Sequence, residues 1–170
     1  ILNLGLFDII PVVNNENSSR IIFLIIMIYS LFAFLMTFSR EIIKDLEDAE
    51  GDKIYGANTI ALNLGTHKTK RIVISINLAI LLLIALWQYF QYSLYLTTFN
   101  TINNEQIEIW GINNLSIIYT ALLQICLIYF IVKCYFAKQK SDFSYLSKIS
   151  KIIMLLGIFS VLVYTSTYFQ

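Results

Sequence analysis

The sequence predicts an all-α fold, a multi-span transmembrane helical bundle, and three observations predict it. Hydrophobic residues make up 58% of the chain and charged residues only 14%, a balance foreign to soluble domains. Windows of about 20 mostly apolar residues, the length that crosses a hydrocarbon core of roughly 30 Å, recur four times. Charge is sorted between the windows, whose connections are alternately basic and nearly free of Lys and Arg.

Taken in order, the chain opens on Ile, and its first residues, ILNLGLFDIIPVV, read as the tail of a further apolar helix. No basic stretch, short apolar run and small-residue cleavage site succeed one another there, so the apolar windows are expected to be mature spans. The first span, about 21–38, carries IIFLIIMIYSLFAFLMTF with no charge between Arg20 and Arg40. The second, about 72–95, belongs to an apolar run too long for a straight crossing, and its WQYFQYSLY end suits a headgroup boundary. The third covers about 115–134. The fourth, about 152–169, contains Gly157 and several Ser and Thr residues that allow close helix contact. Without repeats or a low-complexity linker, residues 1–170 form one domain.

The connection 39–71 is rich in Arg40, Lys44, Lys53, Lys68, Lys70 and Arg71, and the one between the third and fourth spans holds Lys133, Lys138 and Lys140, with Lys148 and Lys151 following. Between these two, residues 100–114 contain Glu105 and Glu108 but no Lys or Arg. By the positive-inside rule, segment 39–71 lies on the cytoplasmic side. A net charge of +1 offers no field for nucleic acid. Cys126 and Cys134 lack a second thiol pair and are expected to be reduced packing residues.

Segment 39–71, SREIIKDLEDAEGDKIYGANTIALNLGTHKTKR, concentrates the chemistry. If the first helix continues through 40–52, Glu41, Asp45, Asp48 and Asp52 fall at i, i+4, i+7 and i+11, within roughly a 60° arc. Like charges one turn apart destabilise a helix by about 0.2–0.5 kcal/mol per pair, and an Asp at bilayer depth costs about 2.5–3.5 kcal/mol. A divalent cation offsets that repulsion. Oxygen donors in an incomplete shell suit Mg2+, which keeps waters and takes further oxygens from a substrate phosphate. The alternative is a solvated helix whose acids are balanced by Arg40, Lys44 and Lys53. Gly51 weakens the helix before Asp52, and Gly56 is placed to end or turn it.

The string Arg40-Glu41-Ile42-Ile43-Lys44-Asp45-Leu46-Glu47-Asp48-Ala49-Glu50-Gly51-Asp52, followed by Gly56-Ala57-Asn58-Thr59 and Leu64-Gly65, resembles the second aspartate-rich motif of the UbiA family of intramembrane prenyltransferases and its downstream turn. It is most similar to the branch that alkylates geranylgeranylglyceryl phosphate, the digeranylgeranylglyceryl phosphate synthase type. The resemblance covers about 39–65; elsewhere it is mostly one of hydrophobicity. Where the family continues Thr-Leu-Pro, this chain has Thr59-Ile60-Ala61 and lacks the stiffening proline. The family's first motif, an Asn-Asp-x-x-Asp string, is absent. The resemblance therefore implies the C-terminal part of a domain of about nine spans, inactive without the N-terminal half of the same polypeptide.

The resemblance further implies Mg2+-dependent transfer of a prenyl group, geranylgeranyl by its branch, from a prenyl diphosphate to the hydroxyl of a glycerophosphate lipid. Asp48 and Asp52 would be the principal Mg2+ ligands, with Asp45 and Glu41 helping directly or through water. Lys44, Lys68, Arg71 and Arg40 would contact phosphate, and the rings of Tyr29, Phe32 and Phe34 are candidates to favour positive charge. His67 is expected in a loop without a catalytic role. The second motif leaves open an aromatic acceptor of quinone or haem biosynthesis. From another class, an acid-lined cation transporter would carry its carboxylates inside a span, whereas these follow one. The CDP-alcohol phosphotransferases also set Asp clusters at a membrane surface, but their DGxxAR string is missing.

Overall fold

The computed structural model describes residues 15–101 and 114–166. The expected apolar stub before residue 15 and the acidic connection with Glu105 and Glu108 lie outside the described residues. Five helices follow one another: α1 (Asn15–Ile54), α2 (Ile60–Leu64), α3 (Thr66–Thr101), α4 (Asn114–Phe136) and α5 (Lys140–Ser166). Of these, α1, α3, α4 and α5 are long and apolar enough to cross a membrane, which makes this an integral, multi-pass membrane protein. Helices are the form these runs must take, because hydrocarbon offers backbone groups no partner but one another. The first three expected spans lie within α1, α3 and α4, and the fourth lies in α5 as far as residue 166.

The four long helices close a ring in which α1 packs on α3 and α5, and α4 on α3 and α5. Neighbours run in opposite directions. Tyr29 of α1 meets Ser160 of α5 with 2.7 Å between hydroxyl oxygens, the Gln124 amide of α4 donates to Gln88 Oε1 of α3 at 2.8 Å, and the Tyr119 hydroxyl of α4 donates to the Leu156 carbonyl of α5 at 2.6 Å. Inside the ring Met36, Ile43, Ile80, Leu127, Phe130 and Ile153 are almost wholly buried. Phe23, Leu82, Leu86, Ile125 and Ile158 point outward, where lipid rather than water is their solvent.

Helix α1 extends well past its apolar part. Its 40 residues measure about 60 Å, twice the hydrocarbon thickness, and the residues beyond Arg40 form an extension past the charge-free run 21–38. That extension is amphipathic: Ser39, Ile42, Ile43 and Leu46, spaced i, i+3, i+4 and i+7, are buried. The expected continuation of the helix through 40–52 is present, and Gly51 does not interrupt it. The turn falls at Gly56, whose φ is +64°.

The short α2 packs against α1 and α3, in a stretch expected to be loop. It opens after Thr59 in extended conformation and closes at Gly65, whose φ of 77° and ψ of 156° lie in a region open essentially to Gly alone. Helix α3 begins immediately, so His67 sits exposed in its first turn rather than in a loop. At the same end of the ring Lys70 reaches across to α4, donating to the carbonyls of Tyr135 at 2.8 Å and Ala137 at 2.7 Å. A cation there satisfies acceptors that a helix end leaves without partners. The next helix is started by Asp142, whose carboxylate accepts the backbone N–H groups of Lys138 and Gln139.

Candidate active site at the end of the bundle

The acidic residues occupy the side of the α1 extension turned away from the bundle core. Glu41 and Asp48 are exposed, and Asp45 and Asp52 are half-buried. Because Ile42, Ile43 and Leu46 anchor the opposite side against the core, the carboxylates share one face as the spacing requires. Asp45 is the most enclosed by charge and backbone. The backbone N–H of Ile60, the first residue of α2, lies close enough to favour the charged form of Asp45. Partial burial, then the charges of Asp52 and Glu41, push its carboxyl above the ordinary carboxylate value, while the Ile60 N–H pulls the other way.

Arg40 and Glu41 pair with each other at 2.7 Å, the one ion pair among the described residues. Glu41 is thereby partly neutralised, whereas Asp48 and Asp52 carry no such counter-charge. Lys44 is half-buried on the carboxylate side; Lys68 and Arg71 are exposed on the first turns of α3. None of these three makes an ion pair with a carboxylate, so they remain available cations at the rim. Lys70, by contrast, is committed to the end of α4.

Of the aromatic candidates, two belong to the bundle interior. Tyr29 bonds Ser160, and Phe32 packs on Gly157; both line an apolar cavity of about 360 Å³ between the four long helices. Phe34 is exposed and stacks on Phe38, with ring centroids 6.2 Å apart and planes within 1°. At 100° per residue Phe34 lies within about 40° of Asp48. It continues the acidic face onto the apolar part of α1.

Among the described residues, no three His, Cys, Asp or Glu side chains converge on a single metal position. One helix spaces its carboxylates 5–6 Å apart along a face, which gives a partial, all-oxygen shell and not a closed cage. Such a shell fits Mg2+ with its remaining positions taken by water and phosphate. Cys126 and Cys134 are free thiols, and the latter is wholly buried.

Sequence reasoning missed two contributions. The approach of Ile60 to Asp45 depends on a five-residue helix too short for any periodic signal. Asn77 donates to Ser39 Oγ at 2.7 Å across the α1–α3 seam, and its signal was visible as a lone amide within the apolar run RIVISINLAI.

Fold and site together define a class: a polytopic helical membrane protein presenting a row of carboxylates on the extension of one of its long helices. The chain is 35% identical over 124 residues to the digeranylgeranylglyceryl phosphate synthase of Methanosphaera stadtmanae, an alignment covering 73% of this chain and 38% of that relative. Proteins of the same name from Sulfolobus acidocaldarius, 42% identical over 64 residues (38% of this chain, 23% of the relative), and Methanothermobacter thermautotrophicus, 49% identical over 39 residues (23% and 14%), are also similar. No family model matches the chain, and no solved structure matches it. The chain is a homologue of the digeranylgeranylglyceryl phosphate synthases, in keeping with the UbiA-type prenyltransferases that its acidic segment resembles. It spans well under half the length of the curated relatives it matches.

Proposed function

We propose that this protein transfers a geranylgeranyl group from its diphosphate to the hydroxyl of a glycerophosphate lipid, with Mg2+, at the cytoplasmic face of the membrane. The observation that carries this reading is the row Asp45, Asp48 and Asp52, without counter-cations, on a face that passes directly into the apolar surface of α1. An amphiphile with a charged head and a branched hydrocarbon tail matches that gradient. Asp48 and Asp52 would hold the metal, Asp45 and Glu41 would assist, and Lys44, Lys68 and Arg71 would contact phosphate oxygens.

When bound, Mg2+ supplies positive charge that stabilises the diphosphate as it departs. The chain's own residues do the rest. Asp45, beside the start of α2, sets the depth of the diphosphate. The apolar surface of α1 below Glu41 keeps water from the allylic carbon as its bond to the diphosphate oxygen breaks. The acceptor oxygen then bonds to that carbon and the hydroxyl proton is released. The basic residues at the ends of α3, α4 and α5 that share this end of the ring support the cytoplasmic placement.

The test is Asp48→Asn in the complete polypeptide, reconstituted in vesicles. Mg2+-dependent prenyl transfer should fall at least 100-fold with membrane insertion unchanged; wild-type turnover would refute the ligand assignment.

A further inference from the structure

Ser39 and Asn77 are both fully buried, in a seam otherwise made of Met36, Ile43, Val73 and Ile80. The Asn77 amide nitrogen donates to Ser39 Oγ at 2.7 Å and to the Val73 carbonyl at 2.8 Å. Its carbonyl oxygen Oδ1 is buried with no partner. A leucine at 77 facing an alanine at 39 would fill the same place with no desolvated polar atom, so stability alone does not account for the pair here.

Position accounts for it. Ser39 precedes the acidic face directly and stands nine residues before Asp48, half a turn away around α1. Aliphatic ridges allow a helix to roll and slide against its neighbour, whereas a short hydrogen bond fixes both motions. The lever is long: a carboxylate about 5–6 Å from the helix axis moves about 2 Å for a 20° roll. A displacement of that order undoes a coordination geometry.

We propose that Asn77 is a positioning residue, which through Ser39 sets the rotation of α1 about its axis and thereby aims the Asp45–Asp48–Asp52 row at the metal and diphosphate. The inference rests on the proposed function of that row. The bond lies on the far side of α1 from the carboxylates and touches none of them. It ties the extension to α3, and α2 packs on the same extension.

The test uses Asn77→Leu, Ser39→Ala and the double variant in the complete polypeptide. Three readouts serve: thermal unfolding in detergent, Mn2+ binding by electron paramagnetic resonance with inorganic pyrophosphate present, and the Mg2+ concentration for half-maximal transfer. The double variant, which leaves no polar atom of the pair orphaned, should unfold at or above the wild-type temperature, yet it and Asn77→Leu should bind Mn2+ at least 10-fold more weakly and need at least 10-fold more Mg2+. Ser39→Ala should weaken metal binding likewise, and the double variant should be no worse than the worse single, since both lose one shared bond. Wild-type metal binding in either single variant, or a loss of stability without a metal effect, overturns the proposal. Additive metal effects overturn it as well. Should Asn77→Leu fail to fold, the proposal is overturned at that position, because the amide is then structural. Asp48→Asn run alongside separates the two readings. Full activity there defeats the proposed function itself, whereas an inactive Asp48→Asn beside a normal Asn77→Leu defeats only the positioning role.

Discussion

The ring of Phe32 on α1 lies against Gly157 on α5, so closely that a β-carbon added at Gly157 would overlap the ring edge at Cε1 and Cζ. This contact sets how near α1 approaches α5, and so where the helix that carries the carboxylates stands. Overpacking usually costs about 1–3 kcal/mol. Here Phe32 also borders the cavity of about 360 Å³, into which its ring can swing. Gly157→Ala should therefore cost near the lower limit, about 1 kcal/mol, and Gly157→Leu should cost more. Thermal unfolding of the detergent-solubilised protein measures both, and Phe32→Leu in the Gly157→Ala background should recover part of the loss.

The two turn glycines should differ. Gly56 has φ +64°, within the left-handed region where other residues fit at a cost of about 1 kcal/mol. Gly65, with φ 77° and ψ 156°, is in a region closed to side chains, where about 2–3 kcal/mol is expected. Gly65→Ala should thus destabilise more than Gly56→Ala, as seen in unfolding temperature. Because Gly65 joins α2 to α3, its substitution should also weaken metal binding by displacing Ile60 from Asp45.

Lysines of the same segment should separate by role. Lys70 supplies two hydrogen bonds to the end of α4, and losing charged hydrogen bonds costs about 1.5–3 kcal/mol. Lys70→Met should lower stability and leave the half-saturating pyrophosphate concentration unchanged. Lys68→Met and Arg71→Met, both exposed, should do the reverse, with pyrophosphate binding weakened several-fold.

Among the carboxylates, Glu41 should matter least, since Arg40 already pairs with it. Glu41→Gln should reduce transfer by less than about 10-fold, against at least about 100-fold for Asp48→Asn or Asp52→Asn, the range spanned by loss of one electrostatic group. Initial rates at saturating Mg2+ give the comparison.

The spans were legible because hydrocarbon leaves a 20-residue apolar run few alternatives, and the acidic row was legible because helical spacing alone puts Glu41, Asp45, Asp48 and Asp52 together. The pairing of faces was not. Nothing local distinguishes Phe32, which packs on Gly157, from Phe34, which stays on the carboxylate side; the difference is the position of α5. Helix α2 escaped notice because five residues carry no period, and Ile60 is marked only by its place after an extended Thr59. The role of Lys70 was hidden by its company, for a lysine among basic residues reads as anchoring until the end of α4 is seen beside it.

The most direct measurement is product formation by the complete polypeptide in vesicles, supplied with geranylgeranyl diphosphate, geranylgeranylglyceryl phosphate and Mg2+, and read by lipid mass spectrometry. A doubly geranylgeranylated glyceryl phosphate should appear, vanish with chelator and vanish in Asp48→Asn. Absence of that lipid from an enzyme shown to be inserted, or its undiminished formation by Asp48→Asn, would contradict the account.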